Sequence, residues 1–182
     1  VAGLASGELS LRWNSQADTG VTIGGPLRVE GLQFVHPDWL GQDVFASSTA
    51  AYSGTLLIEP ARLVAQNAHI ELDHSRFNFS GVVPRSLFGE STLSDALTTL
   101  SSEDLVAQGE IDVAKLAAAL PQTLRIREDT TITGGQLSLS LSSGAPQGVR
   151  TWGLNLTSTN LTGESNGRPI VWNKPIVIQA SA

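Results

Sequence analysis

Apolar and polar residues alternate with a period of two along most of this chain, and this pattern limits the folds that it can adopt. The leucines of the two clearest runs, Leu137, Leu139, Leu141, Leu154 and Leu156, alternate with serine, glycine, asparagine and threonine. Successive side chains of a β-strand point to opposite faces, so the pattern is typical of antiparallel strands with one buried face. About ten such strands are recognisable, with glycine and proline at the turns between them.

The longest alternating segment covers residues 63–73. Its even-numbered residues are mostly apolar and its odd-numbered residues are mostly polar. The pattern therefore predicts one regular strand whose even-numbered side chains, from Val64 to Leu72, share the apolar face.

Two segments change to the spacing of an amphipathic helix, with apolar residues three and four positions apart. The first covers residues 92–100 and the second covers residues 113–120. Asp112 is the expected N-cap of the second helix, and Pro121 is its stop signal. Each helix has one apolar stripe and is too short to be stable alone, so both are expected to pack on the sheet.

The composition excludes several classes of protein. A length of 182 residues favours one domain, and 41% of the residues are hydrophobic, which is enough for a substantial buried surface. The net charge of −6 argues against a nucleic-acid-binding surface, and the lack of cysteine excludes disulfides, thiol catalysis and a zinc ribbon. Because the chain also lacks methionine, we expect residues 1–182 to be one β-rich domain excised or processed from a longer protein.

Candidate catalytic and metal-binding residues are few. Ser91 follows Gly89 and Glu90, but no glycine completes the nucleophile-elbow pattern. His69, Glu71 and Asp73 are spaced to project from one side of a strand, yet no further ligand is recognisable. We therefore predict no catalytic residues, no cofactor and no metal site.

The four tryptophans suggest a different function. Trp13 and Trp152 keep phase with neighbouring leucines and are expected in the core, whereas Trp39 lies in a loop and is expected to be partly exposed. Exposed tryptophans on a β-sandwich can stack on sugar rings. A carbohydrate-binding module is therefore an alternative that rests on the tryptophans alone, and Trp39 is the only one of the four, which include Trp172, whose surroundings indicate exposure.

Several short motifs occur together in this chain. They are Gly7-Glu8-Leu9-Ser10-Leu11, Val29-Glu30-Gly31-Leu32-Gln33-Phe34, the run from Leu105 to Leu116 with Leu120-Pro121 after it, Thr133-Gly134-Gly135-Gln136-Leu137-Ser138-Leu139 and Gly167-Arg168-Pro169-Ile170. With these motifs, which span most of its length, the chain resembles segments of the large AsmA-like and TamB-like envelope proteins of Gram-negative-type bacteria.

The resemblance implies a long, curled β-sheet with an apolar inner groove. Proteins of this family are anchored at the inner membrane by an N-terminal helix, project into the periplasm, and are linked to outer-membrane biogenesis and lipid transport. We accordingly expect a non-catalytic, periplasmic scaffold of the cell envelope. Its expected partners are phospholipid acyl chains or neighbouring β-domains of the parent protein, with no membrane span in this part.

The expected fold is thus mainly β and antiparallel, either a curved sheet or a two-sheet sandwich, with two short amphipathic helices packed on it. The candidate site is the apolar set Leu137, Leu139, Leu141, Leu154 and Leu156, which lines a groove or belongs to an ordinary core. Because the helices need a surface to pack on, we expect these leucines to be core. The alternative function is a β-sandwich interaction, adhesion or carbohydrate-binding module of a larger surface protein.

Overall fold

A computed structural model describes residues 2–8, 10–14, 20–85, 103–145 and 148–181, without the side chains of residues 13–14 and 38–39. Twelve strands and two helices occur in these ranges, and all twelve strands belong to one antiparallel sheet. The strands are β1 (Ala2–Gly7), β2 (Ser10–Asn14), β3 (Gly20–Gly24), β4 (Leu27–Phe34), β5 (Phe45–Ile58), β6 (Arg62–Leu72), β7 (Ser75–Pro84), β8 (Leu105–Asp112), β9 (Thr130–Gly144), β10 (Thr151–Ser165), β11 (Arg168–Val171) and β12 (Ile176–Ser181), and the helices are α1 (Pro37–Leu40) and α2 (Val113–Ala119).

The sheet is a meander in which strands that follow one another along the chain lie side by side from β4 to β11. Interrupted strands lie toward both margins, and β1 and β2 pair with the outer sides of β4 and β3. β3 and β4 both pair with β5, and β11 and β12 both pair with β10. Each pair thus follows one long neighbouring strand with a break in the middle.

The predicted antiparallel β fold is confirmed in its curved-sheet form, since the described strands make one open, curved sheet rather than a sandwich. The second predicted helix is also confirmed as α2, and the carboxylate of Asp112 accepts a hydrogen bond from the Lys115 N–H at 3.1 Å, as an N-cap should. The first predicted helix, over residues 92–100, lies outside the described residues. The short helix α1 was not predicted, and the expectation that Trp39 lies in a loop is wrong because residue 39 belongs to this helix.

A row of backbone irregularities crosses the middle of the sheet and bends it. Gly54 on β5, Asn67 on β6 and Gly81 on β7 all have positive φ angles, and the register shifts beside Gly54 and Asn67. The Asn67 N–H donates to the hydroxyl of Ser80 at 2.9 Å, which replaces a lost ladder bond. Both register shifts come from one bulge on β6, where an extra residue lies opposite Gly54 on one side and Ser80 on the other. A bulge bends its strand and increases the twist, so the sheet bends along this row.

Gly81 shows why this row needs glycine. Its φ of +131° is disfavoured for other residues, and a Cβ at this position would lie 2.2 Å from the carbonyl oxygen of Asp104. The close approach lets β7 and β8 begin their pairing at Gly81 and Leu105.

The strand predicted at residues 63–73 forms as β6, but its regular alternation is wrong. The bulge at Gln66 and Asn67 inserts an extra residue opposite Ser80, so the apolar side chains change from odd to even numbers there. Leu63 and Ala65 share a face with Ala68, Ile70 and Leu72, whereas Val64 lies on the opposite face.

Candidate functional site

The five candidate leucines lie together on one face of β9 and β10. Leu141 is directly opposite Leu154, Leu139 is opposite Leu156, and Leu137 is opposite Ser158. Residues directly opposite one another in an antiparallel pair project to the same face and contact each other. All five leucines are half-buried, so they are neither enclosed like core residues nor fully open to water.

The apolar face continues across β8 and β7. Leu139 faces Gly109, which in turn faces Phe77, so these three residues form one line across the sheet. The Phe77 ring covers Gly109 so closely that a Cβ there would lie 2.5 Å from the ring Cδ1 atom. Glycine on the central strand therefore makes room for the aromatic ring of its neighbour.

Further strands extend the same surface toward the other margin. The register connects Phe77 to Ile70 on β6, Ile70 to Tyr52 on β5, and Tyr52 to Leu27 on β4. We call this continuous surface the apolar face. Its members on β3 to β10 are Val21, Ile23, Leu27, Val29, Ala50, Tyr52, Leu56, Ile58, Leu63, Ala65, Ala68, Ile70, Leu72, Phe77, Phe79, Val83, Leu105, Ala107, Ile111, Leu137, Leu139, Leu141, Trp152, Leu154 and Leu156.

The opposite face of the same strands is mainly polar. Ser138, Ser140 and Ser142 of β9 are exposed there, and Arg76 forms an ion pair with Glu110 at 3.8 Å. An exposed pair of this kind contributes at most about 1 kcal/mol, so this face is a solvated surface rather than a source of stability. The sheet thus has one wet face and one apolar face.

Few hydrophobic residues are deeply enclosed in the described part of the chain, and most of these few are alanines. They are Ala65, Ala68, Leu105, Ala117 and Leu120. Tight packing normally encloses large side chains as well. In the described ranges, the strands provide no second sheet over the apolar face, which explains why its leucines and phenylalanines stay half-buried.

One end of the sheet is tied together by the connections between strands. Asp43, which follows α1 and is 7% exposed, accepts hydrogen bonds from the N–H and hydroxyl of Thr123, which follows α2. The Thr123 hydroxyl also lies 3.1 Å from the carbonyl oxygen of Leu40. The sheet order places β6 and β7 between these two connections, so the contact spans this end, which we call the capped end.

His74 lies beneath the capped end, in the turn between β6 and β7, and is 5% exposed. Its ring makes an edge-on contact with Phe45 at a centroid distance of 5.0 Å, and its carbonyl accepts the Asp112 N–H at 2.8 Å. Nδ1 lies 3.1 Å from the Ser75 hydroxyl, whereas Nε2 is buried with no hydrogen-bond partner among the described residues. Burial lowers the pKa of His74, against the opposing attraction of the Asp73 and Asp112 carboxylates.

Two of the three residues weighed as a metal patch, Asp73 and His69, make other contacts. The carboxylate of Asp73 accepts hydrogen bonds from the backbone and hydroxyl groups of Ser48 and Thr49 on β5, which lowers the pKa of Asp73. His69 Nδ1 lies 2.7 Å from the Asn78 side-chain oxygen on the polar face. Among the residues that the structure describes, no group of three or more histidine or acidic side chains is arranged to hold a metal ion.

The tryptophans have different environments. Trp152 is half-buried opposite Ser143, in phase with the leucines of β10 as the alternation predicts. Trp172, which the sequence did not distinguish from the others, is 38% exposed in the break between β11 and β12. The side chains of Trp13 and Trp39 are outside the described part of the structure. One sequence signal could have identified Trp172 as irregular and exposed, because Pro175 follows it closely between two short strands.

The described chain is therefore an open antiparallel β-sheet protein with one apolar face and one capped end. Comparison with protein-family models, curated proteins and solved structures finds no match to this chain. None of the helices in the described ranges has the length and apolar character needed to cross a membrane.

Proposed function

We propose that this chain is a non-catalytic scaffold that holds phospholipid acyl chains along its apolar face, as part of a lipid-handling or outer-membrane-assembly protein in the bacterial envelope. The observation that carries the proposal is the apolar face itself, which runs across β3 to β10 without a second sheet over it in the described residues. A half-exposed hydrophobic surface of this extent is characteristic of binding sites.

The dimensions of the sheet suit an acyl chain. β9 and β10 each have 15 residues, which corresponds to a length of about 50 Å. The hydrocarbon core of a bilayer is about 30 Å thick, so one acyl chain spans about 15 Å and fits along a strand. Each methylene removed from water on this surface would contribute about 0.8 kcal/mol.

The mechanism is passive. Acyl chains lie on Leu139, Leu156 and their neighbours, while the charged headgroup stays in water at the open margin of the sheet. Moving a lipid along the face requires no covalent step, because hydrophobic contact is non-directional and adjacent leucines are equivalent. The location in the periplasm, in a parent protein anchored at the inner membrane, is part of the proposal and is supported by the resemblance in sequence motifs.

The test compares two substitutions on one strand. Leu139 lies on the apolar face and Ser140, its neighbour, lies on the polar face. We expect delipidated protein to bind a phospholipid with a fluorescent acyl chain, Leu139→Asp to abolish this binding, and Ser140→Asp to preserve it. Both variants add the same charge to the same strand, which makes Ser140→Asp a matched control. Far-UV circular dichroism should confirm that each variant still folds.

Photo-cross-linking provides a second measurement if Leu139→Asp does not fold. A benzophenone amino acid at position 139 should form an adduct with the acyl chain, and the same group at position 140 should not. Wild-type protein that binds no phospholipid, or equal adducts at the two positions, would contradict the proposal.

The alternative function, an interaction or carbohydrate-binding module, is favoured by one separate observation. The exposed indole of Trp172 lies at the far margin of the sheet from α1, in a cleft of its own. A site there is compatible with lipid binding on the apolar face, and it is developed below.

A further inference from the structure

The break between β11 and β12 coincides with an irregularity on the neighbouring strand. Asn160 of β10 has a φ of +53°, and the pairing of β10 with β9 shifts between Thr159 and Thr162. The chain leaves β11 at Val171 and resumes pairing with β10 only at Ile176. A bulge that faces a break in the next strand leaves an opening in the margin of the sheet.

The opening is a cleft with a volume of about 510 Å³. This volume is within the range of sites that hold small ligands. Its lining includes Thr159, Asn160, Trp172, Asn173, Lys174 and Pro175. Thr159 pairs with Gln136 and Thr162 with Gly134, two positions in phase with the exposed serines of β9, so these residues place the cleft on the polar side of the sheet.

The aromatic residue of this cleft is exposed but held by its backbone. Trp172 is 38% exposed, and its N–H donates to the carbonyl oxygen of Leu161 at 2.9 Å. Pro175, with its restricted φ, stiffens the end of the same loop. The backbone that carries the indole is thus already ordered, so a ligand that stacks on Trp172 need not order this loop, which favours binding.

The polar groups of the cleft are available to a ligand. Within the described part of the chain, side-chain hydrogen bonds in the cleft are limited to Thr162, whose hydroxyl lies 3.1 Å from that of Thr133. The amides of Asn160 and Asn173 can both donate and accept, and Lys174 supplies a positive charge. An apolar ring face beside amides, a hydroxyl and a cation matches a pyranose, whose C–H groups stack on an indole while its hydroxyls bond to amides.

We infer that this cleft, which we call the Trp172 cleft, binds a pyranose saccharide that carries an anionic group. The sugar ring stacks on the Trp172 indole, its hydroxyls bond to Asn160 and Asn173, and its carboxylate or phosphate contacts Lys174. The inference is independent of lipid binding, because the cleft shares no residue with the five candidate leucines of the apolar face.

The experiment titrates the full chain with trigalacturonate and, for comparison, with a neutral galactose trisaccharide. We expect trigalacturonate to bind more tightly, Trp172→Ala to weaken its binding by about tenfold, and Lys174→Gln to reduce it to the level of the neutral sugar. Asn160→Gly should weaken binding while keeping the positive φ of the bulge. The matched control is Val149→Ala, which removes an exposed apolar side chain from another loop and should change nothing.

A spectroscopic measurement on wild-type protein keeps the test independent of the variants. Trigalacturonate should shift the indole N–H resonance of Trp172 and leave that of the half-buried Trp152 in place. The inference is overturned if the wild type binds neither sugar, if the two sugars bind equally, or if Trp172→Ala binds trigalacturonate as well as the wild type does.

Discussion

The carboxylate of Asp43 holds Thr123 by two hydrogen bonds, one from the backbone N–H at 2.6 Å and one from the hydroxyl at 2.8 Å. The two residues are 80 positions apart in the chain. Asp43 belongs to the connection between β4 and β5, and Thr123 to that between β8 and β9, so the contact joins elements on separate parts of the sheet. It is a polar link across the capped end.

This link predicts energetic coupling between the two residues. Asp43→Ala should lower the free energy of unfolding by about 1–3 kcal/mol, because it leaves the Thr123 N–H without its acceptor. Thr123→Ala should cost less in the Asp43→Ala background than in the wild type, with a coupling energy of about 0.5–3 kcal/mol. Urea denaturation of the wild type, the two single variants and the double variant measures this coupling energy. Glu128→Ala, which removes an exposed acid from the same connection, is the control and should change stability by less than about 0.5 kcal/mol. Additive losses would show that the residues do not act together.

The buried imidazole of His74 predicts a loss of stability in mild acid. Burial lowers the folded-state pKa of His74 below its ordinary value of 6.5, despite the nearby carboxylates of Asp73 and Asp112, and Lys115 adds to the lowering. The unfolded chain therefore binds the proton more readily, so the contribution of His74 is complete above pH 6.5 and declines as the pH falls below it.

Urea midpoints at several pH values from about 8 to 5 should show this decline, and His74→Leu should remove it. The carboxyl of Asp73 does not interfere, because its lowered pKa gives stability that is lost only below its ordinary value of 3.8. An unchanged slope in His74→Leu would mean that another group titrates in this range.

The Phe77 ring over Gly109 predicts that a single methyl group will disturb the apolar face. Gly109→Ala should lower the free energy of unfolding by about 1–3 kcal/mol, because the new Cβ would overlap the ring of Phe77. In a Phe77→Leu background the same substitution should cost less, since a leucine can turn aside. Thermal and urea unfolding compare the two backgrounds, and an equal cost in both would contradict the contact.

The half-buried state of the leucines predicts a modest cost for removing one of them. Leu139→Ala should lower the free energy of unfolding by about 1–2 kcal/mol, less than the roughly 2–5 kcal/mol typical of an enclosed leucine. Leu120, which is 7% exposed beside α2, is the enclosed reference, and Leu120→Ala should fall in the higher range. If Leu139→Ala costs as much as Leu120→Ala, Leu139 is an ordinary core residue.

The local features of the fold could be predicted from the sequence because each depends on residues close together in the chain. Alternation along Leu137, Leu139 and Leu141 placed them on one face, and Asp112 with Pro121 delimited α2. The candidate site was likewise recognisable as a set of leucines. The sequence pattern left open whether these leucines face a core or a groove, because both give the same alternation.

The features that the sequence did not reveal depend on strand register and on distant contacts. The bulge at Asn67 moves the apolar side chains of β6 to the other parity, and its effect exists only relative to Ser80 on β7. The Trp172 cleft requires the bulge of β10 to face the break after β11, and no local pattern contains that alignment.

The sequence by itself thus determined that the chain is an antiparallel β protein with one apolar side, because side-chain alternation is a property of each strand. Tertiary structure alone decided that the strands join in one curved sheet rather than two, and that Asp43 meets Thr123 across its end. The physical reason is that the sheet bends at the β6 bulge around Asn67, which is aligned with the positive-φ residues Gly54 and Gly81 of the neighbouring strands. That alignment is set when the strands pair, and it places the half-buried leucines on an apolar face without a covering second sheet in the described ranges.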